Sequence, residues 1–244
     1  MAVPYIKLDE NREAGCKNLL FDQEVAGSKV YYHVLSSGEF FASEENGKTL
    51  RIFFHIEGKA VYRSQGQQQL FEERAVFVPH PDQRVLIQAK ERTCILEIQW
   101  ELLGSDKIFM EKAETKYPYV QVYSQCEKYY EDNGGNDVTQ RSIIDHHAMP
   151  RFAMGSNEAK GPDQMAEQSH PLVDQMFFSF PENKVVLIID DERIVMEGNT
   201  LLHVPLGARH AVEIPKDGLM HYMWIDFLID PGAMAFLDAA HQKM

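Results

Sequence analysis

Three stretches with the look of buried strands occur twice in this chain, and that duplication restricts the fold more than any other feature. Phe53–Glu57, Ala75–Pro79 and Ile95–Glu101 return as Phe177–Pro181, Leu201–Pro205 and Tyr222–Asp226, at offsets of 124 and 126 residues for the first two and 125 between the ends of the third. Offsets that agree this closely mean one strand-rich unit of about 110 residues present twice, with small insertions between the copies. A unit of that size suits a small all-β barrel, and 244 residues hold two of them.

The rest of the chain agrees with that reading. Lys29–Leu35, Thr49–Ile56 and Ala75–Pro79 are short, rich in β-branched and aromatic residues, and separated by turn-forming runs at Glu45–Lys48 and Ser64–Gln67. After Trp100 the pattern breaks: Ser105 is placed to cap a short helix over Asp106–Glu114, which Pro118 stops. The predicted organisation is all-β, with an N-terminal lobe over 1–104, a linker over 105–118 and a C-terminal lobe over 119–244. That lobe ends in a helix over Pro231–Lys243, with Pro231 near its first turn. Asp132–Asp137 is oxygen-rich but lacks the ligand spacing of a calcium loop, so it reads as a solvated turn.

Charge and composition narrow the partners. A net charge of −13 argues against nucleic acid, whose phosphates need clustered Lys and Arg. No apolar run reaches 18 residues, so no membrane helix is expected. Met1–Lys7 lacks the basic start and apolar core of a signal peptide, and Cys16, Cys94 and Cys126 have no paired spacing. Both features fit a reducing, cytoplasmic setting.

Donor atoms for chemistry gather in the second copy. The run Gly198–His210 reads as a buried strand, a tight Pro205-Leu206-Gly207 turn and a second strand opened by His210. Upstream, Gln168–Gln175 holds Gln168, His170, Asp174 and Gln175. Two imidazoles with carboxylate or amide oxygens in a barrel mouth suit Fe(II), Mn(II), Ni(II) or Zn(II), with open positions for a small molecule. On one continuous strand Gln168, His170 and Asp174 share a face. Gln175 needs a bend, which Pro171 can supply.

These two runs resemble the motifs of the cupin superfamily. The second motif has the form G-x5-P-x-G-x2-H, matched from Gly198 through Pro205 and Gly207 to His210 with one extra residue before the proline. The first has the form H-x-H-x3-or-4-E-x6-G. Gln168 takes the place of its first histidine, His170 that of the second, and Asp174 or Gln175 that of the acid, while Glu182-Asn183 replaces the closing glycine. The resemblance implies two jelly-roll barrels (double-stranded β-helices) in one chain, a bicupin. It also implies a metal site of His170, His210, Gln175 and Gln168, with Asp174 the alternative to Gln175. In the first copy the alignment on Pro79 and Pro205 sets Arg84 at the position of His210 and Pro81 at that of Gly207. A guanidinium cannot ligate a metal, so this lobe is expected to be metal-free.

Other residues are weighed as neighbours of that site. Tyr222 and Asp174 are candidate acid–base groups, and Tyr222, Trp224 and Asp226 alternate along the last strand. Arg151 is a candidate for binding a substrate carboxylate, and His203, aligned with Phe77, for contacting substrate or filling the core. His146 and His147 are adjacent, so on a regular strand they point to opposite faces and chelate poorly. Asn157–Asp163 reads as a loop able to cover the barrel mouth. The function expected is a metal-dependent isomerase or lyase acting on a small oxygenated metabolite such as a sugar acid or keto acid. The alternatives are a non-catalytic small-molecule-binding barrel, an Fe(II) dioxygenase and, behind these, a storage-type protein. The chain is expected to act as a monomer or a homodimer.

Overall fold

The computed structural model describes residues 3–8, 17–129, 135 and 137–241. In chain order the strands begin with β1 (Tyr5–Lys7), β2 (Lys17–Asp22), β3 (Ser28–Leu35), β4 (Phe40–Ser43), β5 (Thr49–Glu57), β6 (Ala60–Ser64) and β7 (Gln67–Phe71). Then come β8 (Ala75–Val78), β9 (Val85–Ala89), β10 (Thr93–Glu101), helix α1 (Gly104–Lys112) and β11 (Tyr119–Val122). The second half holds β12 (Glu127–Tyr129), β13 (Thr139–Met149), β14 (Phe152–Lys160), β15 (Asp163–Gln168), β16 (Val173–Ser179) and β17 (Lys184–Ile189). It closes with β18 (Glu192–Glu197), β19 (Thr200–Val204), β20 (His210–Ile214), β21 (Leu219–Leu228) and helix α2 (Ala233–His241).

The duplication is explicit in the pairing. One half forms a sheet ordered β11-β8-β5-β10-β3-β2 and a smaller one ordered β4-β9-β6-β7. The other forms β1-β19-β16-β21-β14-β13-β12 and β15-β20-β17-β18, the same order strand for strand apart from the added β12. Every pairing is antiparallel, so alternate residues face a common interior. Phe53, Phe77 and Ile95 from the larger sheet meet Tyr62, Phe71 and Ile87 from the smaller one. In the second half Phe177, Leu202 and Tyr222 meet Leu187, Met196 and Val212. Burying each such aromatic or aliphatic side chain stabilises the fold by roughly 2 kcal/mol, so interior parity fixes register strongly.

The chain divides into two compact units, Glu10–Cys126 and Met1–Asp9 with Glu127–Met244. The lobes expected over 1–104 and 119–244 differ from these units because of their edge strands. β1 pairs with β19, Tyr5 opposite Leu202, and β11 pairs with β8, Tyr119 opposite Val78. β8 and β19 are counterparts, so each copy's leading strand closes the sheet edge of the other copy. Residues 119–122 therefore extend the first unit's sheet, and residues 5–7 the second's.

Three local expectations change. Helix α1 begins at Gly104, and its end is capped by Asp106, whose carboxylate accepts from the Leu103 N–H at 2.7 Å, not by Ser105. The expected loop over Asn157–Asp163 is largely strand: Asn157 lies within β14 and donates to the Tyr222 hydroxyl at 3.1 Å inside the barrel. The polar turn at Asp132–Asp137 falls mostly outside the described residues.

Candidate metal centre

His210 opens β20 and is 2% exposed. Its Nδ1 lies 3.3 Å from the Ala208 carbonyl, which makes Nδ1 the protonated nitrogen. Its Nε2 is buried and has no hydrogen-bond partner. Burial also holds the ring below the usual imidazole range, so it is neutral near pH 7. A neutral imidazole with an unused lone pair inside a protein is what a metal ligand requires, and an orphaned buried nitrogen is otherwise costly.

His170 sits beside this ring from the β15–β16 turn. The two ring centroids are 5.4 Å apart, and Phe177 forms a floor with its ring 5.6 Å from His210. Gln168, the last residue of β15, lies directly across from His210. Gln175 shares the inward face of β16 with Phe177 and is 5% exposed. Its Nε2 donates to Asp226 Oδ1 at 2.8 Å. An ionised carboxylate only accepts, so this bond fixes the amide orientation and turns the Gln175 carbonyl oxygen away from Asp226 as an available donor. The local set is two imidazoles with the amides of Gln175 and Gln168.

Asp174 does not join them. The face-sharing argument treated 168–174 as one strand, but β15 ends at Gln168 and the chain turns before β16 begins at Val173. Asp174 consequently points to the face opposite Phe177, where its Oδ1 meets His203 Nε2 at 2.8 Å. His203 is likewise outside the barrel interior, because its neighbours Leu202 and Val204 supply the inward side chains of β19. Tyr222 is inward but deep. It pairs with Ser179, four residues along β21 from the Gln175–Asp226 pair, a span of roughly 13 Å. Its hydroxyl is enclosed by Asn157 and Met165. Asp226 is the carboxylate that the register brings beside Gln175.

The mouth has a cover. Val173, Leu228 and Ala153 pack against Ala233 and Leu237 of α2, with Trp224 and Phe236 joining the cluster. The Phe236 ring stands edge-on to His170 with centroids 6.3 Å apart. Arg151 occupies the β13–β14 turn at this same end of the sheet, in a left-handed conformation (φ 53°), with its carbonyl accepting from the Leu228 N–H at 3.0 Å. Trp224 lies over Gly155, where an added Cβ would come within 2.1 Å of the indole, so that strand position requires glycine.

The first copy differs at each of these points. Strand position makes Val85, the inward first residue of β9, the counterpart of His210; Arg84 is exposed and pairs with Glu44 at 3.2 Å. Arg51, two residues before Phe53 as Gln175 is before Phe177, is 2% exposed. Its guanidinium donates to the carbonyls of Ser43 and Glu44, both at 2.9 Å, and to that of Gln83. Glu97 and His33 complete this interior, bonded at 2.7 Å and fully buried. Sequence alone gave no signal for that use of Arg51.

No family model and no curated protein matches the chain. Solved structures match its shape. A cupin 2 conserved barrel domain protein from Leptotrichia buccalis has a TM-score of 0.65 at 12% identity, covering 93% of this chain and 98% of its own. A salicylate 1,2-dioxygenase from Pseudaminobacter salicylatoxidans gives 0.70 at 8% identity, with 96% and 86% covered. Bacillus subtilis oxalate decarboxylase, described for its Mn(II) centers, gives 0.63 at 13% identity, with 93% and 73% covered. The chain has the cupin fold, with two β-barrels in one polypeptide. No helix among the described residues is long and apolar enough to cross a membrane.

Proposed function

We propose that the second barrel is a metal-dependent catalytic site for a small oxygenated metabolite, a sugar acid or keto acid being the class that suits its donors. The observation that carries this reading is the buried, partnerless Nε2 of His210 on a ring 5.4 Å from that of His170. His170, His210 and the Gln175 carbonyl would hold a divalent Fe, Mn, Ni or Zn ion, with Gln168 beside them. Such an ion, when bound, polarises a carbonyl or carboxylate oxygen as a Lewis acid. The structural neighbour described for its Mn(II) centers, an oxalate decarboxylase, supports metal chemistry on this fold.

The chain's own groups supply the rest. Asp226, 6% exposed and tied to Gln175, orients the amide and is placed to take or return a proton. Trp224 and Phe236 narrow the mouth and exclude water beneath α2. Arg151, at the turn beside the mouth, is the group suited to a substrate carboxylate. The mixed amide–imidazole set lacks a coordinating carboxylate, which ranks isomerase or lyase chemistry above oxygen activation.

Metal analysis of protein purified without chelator, followed by reconstitution with Mn, Fe, Ni or Zn, tests the reading. The expected result is bound metal in the wild type and its loss from the barrel in His210→Ala, with Arg84→Ala unchanged. A wild type that neither retains nor regains metal would overturn it. Turnover in a screen of sugar acids and keto acids then separates a catalyst from a binding barrel.

A further inference from the structure

We propose that His146, His147 and Asp238 form a second divalent-cation site, outside the barrel, that staples the C-terminal helix to β13. The adjacent histidines do not point apart as a regular strand would require. Between the Ile144–Met154 and Met149–Phe152 pairs, β13 advances five residues while β14 advances two. The extra residues form a bulge over 145–148, and a bulge re-aims side chains. Both rings turn to one side, their centroids 4.2 Å apart. Nε2 of each lies 2.9 Å from the same oxygen, Asp238 Oδ1 of α2.

Two imidazole nitrogens around one carboxylate oxygen form three corners of a coordination polyhedron. Tetrahedral ligands sit about 3.3 Å apart, so each nitrogen–oxygen pair need lengthen by only a few tenths of an ångström to admit an ion. Asp145 stands behind the group. Its carboxylate lies 3.8 Å from His146 Nδ1 and accepts from the His147 backbone N–H at 2.8 Å, which fixes a negative charge beside the two rings. Asp145, His146 and His147 also offer donor atoms within 4.8 Å of one another. His147 and Asp238 are partly exposed, at 55% and 39% of their side chains, so an ion can enter from solvent and keep water ligands. Imidazole donors select a borderline transition cation such as Zn(II), Ni(II) or Cu(II) over Mg(II) or Ca(II).

The site has a consequence for the barrel. Helix α2 carries Phe236, which stands against His170, so an ion at His146, His147 and Asp238 would hold the cover closed over the mouth. Calorimetry with Zn(II) on the full-length His210→Ala chain isolates this second site, with His210→Val, the residue type of its counterpart Val85, as a replacement if the alanine variant misfolds. One equivalent of zinc is expected, Mg(II) should not bind, and adding His147→Ala or Asp238→Asn should weaken zinc at least about tenfold. Amide exchange in 233–241 should slow on adding zinc to His210→Ala and stay unchanged in the His147→Ala double variant. The proposal is overturned if the His210→Ala chain binds no zinc, or if neither added substitution weakens binding. An α2 exchange rate indifferent to bound zinc would overturn the staple.

Discussion

Arg51 and Gln175 stand at matching positions, each two residues ahead of an inward phenylalanine. Arg51 carries its own cation into the first barrel and bonds it to carbonyls of the β4–β5 and β8–β9 turns. In the second barrel the equivalent turns carry His170 and lead into His210, which an ion would join. Arg51→Met should leave buried carbonyls without donors and cost about 3 kcal/mol, read as a lowered thermal midpoint without loss of barrel metal. Asp226→Asn frees the Gln175 amide to flip, and metal affinity should fall by roughly 10- to 100-fold at unchanged fold. That His170 and His210 come together was legible in sequence, because turn chemistry and spacing mark both positions. The choice between Asp174 and Gln175 was not, since it depends on where β15 stops. Asp226 was visible only as one of several alternating residues on β21, and Val85 was hidden by aligning on prolines one residue out of step.

At the scale of elements, repeated strands were readable because each is apolar and bounded by turn residues. Irregular pieces were not. The three-residue strand β1 has no hydrophobic period to detect, yet it covers the edge of β19, with the Pro4 carbonyl accepting from the His203 N–H at 2.9 Å. Removing residues 1–8 should expose that edge, promote self-association and lower metal retention, because β19 leads into the turn before His210. Light scattering together with metal analysis checks both effects. The β13 bulge is equally invisible in sequence: alternation predicts divergent histidines, and only the missing register with β14 lets them converge.

For the whole molecule, acidity is the condition to vary. His55 in one unit and His210 in the other are both held below the ordinary imidazole range by burial. The folded chain therefore binds fewer protons at these sites than the unfolded chain. Their stabilisation is present above about pH 6.5 and is lost as the pH falls through that value toward the folded pKa values. The thermal midpoint should drop on acidification from pH 7.5 to about pH 5.5, and His55→Asn with His210→Gln should flatten that dependence.

The exchanged edge strands also decide how this chain can be divided. A cut anywhere in 105–118 leaves one fragment with β1 to spare and β8 uncovered, and another with β11 to spare and β19 uncovered. Each piece then holds the strand the other lacks, so the two are matched components of a split protein. Mixed together they should reassemble, while either alone should display a bare sheet edge.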